Sequence, residues 1–129
     1  MVVVAIVGIL ASVAYPSFMS QIRKSRRSDA VVALAAVQQA QERWRANQTT
    51  YAANSDLTPA WPTGLGVLST TSGTYYDLAI TGTSTAIAYT VTASAVTGKS
   101  QASDTGCATL TVAVLNGTAT NTPTACWSK

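Results

Sequence analysis

Two cysteines, five carboxylates, eight basic residues and no histidine make up the reactive inventory of this 129-residue chain. Without histidine, a Ser-His-Asp type triad and an ordinary zinc site are excluded. The carboxylates (Asp29, Glu42, Asp56, Asp77 and Asp104) are scattered. No carboxylate pair, phosphate-cradling loop or activated nucleophile stands out, so neither an enzyme nor a bound cofactor is expected. Two groupings remain. Arg23, Lys24, Arg26 and Arg27 form one tight basic cluster. It could grip DNA phosphates, but the simpler reading has more weight. A basic cluster just beyond an apolar span anchors to lipid headgroups, or pairs with carboxylates such as Asp29 or Glu42 of a neighbouring copy.

Cys107 and Cys126 are the second grouping. They enclose a Ser/Thr/Asn/Gly-rich segment ending in Thr122-Pro123-Thr124. Two thiols without a histidine or a third cysteine make a poor metal site, which leaves buried free thiols or a structural disulfide. The disulfide has more support, because the enclosed segment has little core of its own and closing such a loop contributes about 3 kcal/mol. A disulfide would place the domain outside the cytosol.

These groups hang on an unusual beginning. Residues 1–22 carry no charge, and Met1 to Tyr15 is a continuous apolar run. Val3, Val4, Ile6, Val7, Ile9, Leu10 and Val13 cover all sides of a helix, more than one small domain could surround. The run is short for a bilayer span of about 20 residues. Ser12-Val13-Ala14 resembles a signal-peptide cleavage site, but no Lys or Arg precedes the apolar core. The remaining reading is a helix sheltered first by lipid and then by many copies of itself. Gly8 and Pro16 mark its weakest stretch, a candidate for local melting of the helix inside an assembly.

From Pro16 to about Asn47 the pattern is helical, with Ala30, Ala33, Leu34, Val37, Ala40 and Trp44 as one stripe. Val31, Val32, Ala35 and Ala36 add a second apolar face, suited to contact with other copies. Tyr15, Phe18 and Trp44 are explained by packing. Residues 48–74 read as a long irregular connection pinned by Tyr51, Leu57 and Trp61. Strands follow with period two: Tyr76, Leu78 and Ile80; then Ile87, Tyr89, Val91 and Ala93; then Leu110, Val112 and Val114, with a turn at Asn116-Gly117. The expected fold is α+β, one long N-terminal helix across three or four antiparallel strands, with residues 1–28 as an assembly and membrane helix and 29–129 as a globular domain. The net charge of +3 reflects the local cluster, not a basic face spread over the domain.

Three parts of the chain together resemble the type IV pilins of Gram-negative bacteria. They are Met1-Val2-Val3-Val4-Ala5-Ile6-Val7-Gly8-Ile9-Leu10-Ala11 with Ala14-Tyr15-Pro16-Ser17-Phe18; Gln41-Glu42-Arg43 with Asn47 and Thr50-Tyr51-Ala52; and Asp104, Cys107, Leu110-Thr111-Val112 with Cys126-Trp127. The pilin pattern has an earlier leader, a methylated Phe and a Glu, so the resemblance implies about six further apolar residues before Met1, enough to reach membrane-spanning length. It also implies a subunit held in the inner membrane and then moved by an ATPase-driven pilus assembly machinery into a helical homopolymer. The fibre would serve adhesion, twitching motility or DNA uptake at the cell surface. A major pilin is the first expectation; a minor pilin or DNA receptor of the same fibre, or a secretion pseudopilin, is the alternative.

Overall fold

The computed structural model describes residues 1–127. One helix, α1 (Val2–Arg45), runs unbroken for 44 residues, through both Gly8 and Pro16. At 1.5 Å per residue it is about 66 Å long. Pro16 cannot donate to the carbonyl one turn earlier, yet the helix continues around it. The melting expected at Gly8 and Pro16 concerns the assembled state; in the single subunit both residues are helical.

The C-terminal half of α1 lies on a four-stranded antiparallel meander of β1 (Tyr76–Thr81), β2 (Ala88–Ala95), β3 (Thr109–Leu115) and β4 (Thr118–Thr122). Ala30, Leu34, Val37 and Ala40 are buried from the helix side. Their spacing of three and four puts them on one stripe. From the sheet come Tyr76, Leu78 and Ile80, then Tyr89, Val91 and Ala93, then Leu110, Val112 and Val114. Alternate residues along each strand face the helix, as pleating requires.

Ile87 departs from the expected strand. It precedes β2 and is 53% exposed, because Thr85 folds back to pair its amide with the Ala88 carbonyl at 2.9 Å. The β3–β4 turn fits the expectation. Leu115 pairs with Thr118 across Asn116 and Gly117, which have φ of 51° and 76°, the two left-handed residues of a tight hairpin. All five residues of β4 are exposed, beyond the cover of α1.

The connection from α1 to β1 is packed on the core. Tyr51, Leu57 and Leu65 are buried, whereas Trp61 stays 43% exposed and meets Trp44 edge-on at 6.4 Å. Gly64 is required: a Cβ there would lie 2.5 Å from the Pro59 carbonyl oxygen and 2.6 Å from that of Asp56. Cys107 and Cys126 form the disulfide, with Cα atoms 5.7 Å apart. It fastens the segment after β4 to the start of β3.

Candidate functional site

The rod is the first candidate surface. Val3, Val4, Ile6, Val7, Ile9, Leu10 and Val13 are all between 52% and 74% exposed. The most apolar eighteen-residue window of α1 is long and apolar enough to cross a membrane, and none of it is buried within the subunit. Contiguous apolar surface of this extent marks an interaction site on a soluble or membrane partner. Nothing lies within 4 Å of where a Gly8 Cβ would stand, so no contact inside the subunit explains that glycine.

The basic cluster divides by residue. Arg27 makes a bidentate pair with Asp104, at 2.6 and 2.7 Å, and this bond raises the Arg27 pKa above its ordinary value. Asp104 in turn accepts from the Gln101 amide at 2.7 Å. That same nitrogen donates to the Tyr76 hydroxyl at 2.8 Å, and the hydroxyl donates to the Cys107 carbonyl at 3.2 Å. The Tyr76 phenol is pushed up by burial. Arg26 lies 3.6 Å over the Tyr75 ring centroid and donates to the Tyr75 hydroxyl and to Ser100 Oγ. The Arg23 carbonyl accepts from Gln101 at 3.4 Å. The cluster thus fastens α1 to the β2–β3 loop and the disulfide.

From the sequence alone the cluster's expected partners are lipid headgroups, or carboxylates such as Asp29 or Glu42 of a neighbour. The partner of Arg27 is Asp104 of its own chain. Position offered one clue: Asp104 is the sole carboxylate after Asp77 and sits three residues before Cys107. Gln41 was also unforeseen as a core group. It is fully buried and exchanges two hydrogen bonds with the Ala52 backbone, at 3.0 and 2.8 Å.

Lys24 is exposed at the rim of a pocket of about 220 Å³ shared with Arg27, Ser28, Val31, Val32, Cys126 and Trp127. An apolar groove of about 430 Å³ lies between α1 and the segment before β1, lined by Val32, Ala33, Ala36, Val67, Leu68 and others. At the far end of α1, Arg43 donates to the Leu65 carbonyl at 3.0 Å and faces the Trp61 ring at 5.1 Å. Arg45 donates to the carbonyls of Ala86 and Gln48, at 2.9 and 2.7 Å. Among the described residues Arg27–Asp104 is the one salt bridge; Arg43 and Arg45 are held by backbone carbonyls, and the Glu42 carboxylate in their turn accepts from the Tyr51 hydroxyl at 3.1 Å. Also among the described residues, no group of three or more Asp, Glu or Cys is placed to hold a metal.

A family model described as type IV minor pilin ComP, DNA uptake sequence receptor, matches residues 16–111. No curated protein matches the chain.

Proposed function

Because the chain belongs to this type IV pilin family, we propose that it is a pilus subunit of the minor class that carries a DNA-contacting surface. The exposed rod carries the reading. At roughly 25 cal/mol per Å² of apolar area, leaving it in water would cost tens of kcal/mol. Lipid first and the rods of other subunits later would remove that cost. Val3, Val4, Ile6, Val7, Ile9, Leu10 and Val13 would form the filament contacts, and Gly8 with Pro16 the stretch that melts on assembly. The inner membrane would hold the pool and the extracellular fibre its end state. The family's description supports a minor subunit more than the abundant major pilin first expected from the sequence.

For DNA, the surface we favour is the far end of α1. Arg43 and Arg45 are oriented by backbone carbonyls and form no salt bridge among the described residues, the nearby Glu42 accepting instead from Tyr51. Trp61 lies half-exposed beside Arg43. Phosphate contacts from such cations supply sequence-independent affinity that falls with salt. Arg26 and Arg27 are spent on internal contacts, so the basic cluster remains a structural element in this reading.

Two measurements test it. In fibres sheared from cells, this chain should be scarce beside another subunit; dominance there would restore the major-pilin reading. Full-length protein in micelles should retard duplex DNA, and an Arg43→Gln/Arg45→Gln variant should lose most of that binding. Its salt slope should fall by about two. Unchanged retardation by the double variant would remove this surface from the proposal.

A further inference from the structure

The pocket beside Lys24 has a composition that neither filament assembly nor DNA contact uses. Its lining offers two cationic donors, the Lys24 ammonium and the Arg27 guanidinium; the Ser28 hydroxyl beside them donates to the Lys24 carbonyl at 3.4 Å, and Val31, Val32 and the Cys126 sulfur form an apolar wall. Asp104 occupies one edge of Arg27, leaving Lys24 as the lining charge without an ion-pair partner among the described residues. Trp127 completes the rim, and its buried indole N–H has no hydrogen-bond partner among the described residues. Among the described residues no carboxylate lines the pocket. A volume of about 220 Å³ suits a single phosphodiester group with a little of its attached chain.

Position decides which phosphate. The charge-free stretch of α1 ends at Ile22, and Arg23, Lys24, Arg26 and Arg27 follow at once; a basic cluster directly after an apolar span lies at the headgroups. The next turn, which holds Lys24, therefore emerges at the headgroup plane when the rod stands in a bilayer. Trp is itself favoured at that depth. We propose that this pocket seats the phosphate of a membrane phospholipid while the subunit waits in the bilayer. The inference rests on the membrane stage of the proposed function. At this depth the phosphates within reach are those of the headgroups, which favours lipid over DNA.

Native mass spectrometry of the full-length protein tests the pocket, after reconstitution into bilayers of phosphatidylethanolamine and phosphatidylglycerol and gentle detergent release. Wild type should retain phospholipid. Lys24→Gln should retain about fivefold less, the value of one basic residue at an anionic surface, and Lys24→Arg should restore it. Lys99→Gln, an equal charge change elsewhere, should retain lipid as wild type does. With Trp44 and Trp61 replaced by Phe, Trp127 fluorescence should be quenched by headgroup-labelled lipid in the Lys24 protein and less so in Lys24→Gln. Equal retention by Lys24→Gln and wild type, in a protein that still floats with vesicles, overturns the pocket alone. Failure of the full-length chain to float overturns the membrane stage and the pocket together. Equal displacement of retained lipid by inorganic phosphate would reassign the pocket to soluble anions. Loss of DNA retardation in Lys24→Gln with lipid retention intact would reassign it to DNA.

Discussion

Arg27 and Asp104 are unequal partners, and the inequality makes a prediction. The Asp104 side chain is 6% exposed and that of Arg27 is 25% exposed. Removing Arg27 strands a carboxylate away from water, whereas removing the Asp104 charge leaves a guanidinium that can turn to solvent. Arg27→Gln should therefore cost about 2–3 kcal/mol and Asp104→Asn about 1 kcal/mol, discounted for the exposure of the arginine. Chemical denaturation of the two variants checks the order. Tyr89 is the converse case: its hydroxyl is buried with no partner among the described residues. Tyr89→Phe should leave stability at pH 7 unchanged or slightly raised. The phenols of Tyr51, Tyr76 and Tyr89 are all raised above 10.0, chiefly by burial. In the unfolded chain they ionise near their ordinary pKa while the folded state keeps its protons. The unfolded state then binds fewer protons, so stability should be flat to about pH 10 and fall above it. Tyr89→Phe should make that alkaline fall shallower, as equilibrium unfolding at several pH values would show.

At the scale of elements, burial determined what the sequence revealed. The stripe Ala30, Leu34, Val37 and Ala40 and the strands β1 to β3 were legible because one face of each is packed, and packing leaves a period. β4 left no such mark: Thr118-Ala119-Thr120-Asn121-Thr122 is exposed on both faces, so its place follows from the Asn116-Gly117 turn and pairing with β3. The disulfide was legible from inventory, but Gln41 was not, since a polar residue on a helix reads as solvent-facing until its partner, the Ala52 backbone, is known. The network from Arg27 to Cys107 is equally hidden, because Arg27 and Asp104, which bond in it, lie 77 residues apart. Cys107→Ser or Cys126→Ser removes the tie between the segment after β4 and β3, and should cost about 3 kcal/mol. Fewer fibres with intact secondary structure should result. Both variants matching wild type in thermal unfolding and fibre yield would show that β4 and its tail hold without the bond.

At the scale of the molecule, one helix, α1, runs through both the rod and the domain, and the network at their junction predicts where a separation between them would be harmless. The sequence suggested a division after residue 28. Arg26 and Arg27 lie before that point, yet their side chains bind Tyr75, Ser100 and Asp104 in the domain. A chain beginning at Asp29 loses those contacts and leaves Asp104 buried without its cation. A chain beginning at Arg23 keeps them while still shedding the apolar residues. Both should be monomeric in water without detergent, because neither retains the exposed rod. They should differ in stability by about 2–3 kcal/mol, which for a domain of this size lowers Tm by about 10–20 °C. Calorimetry of the two shortened chains decides it. Equal Tm values would mean that the cluster contributes nothing to the domain, and Arg26 and Arg27 would then be free to serve an outside partner. Aggregation of both chains in water would instead mean that a further apolar surface, with Val32 and Leu68 in the groove beside α1 the first suspects, needs cover of its own.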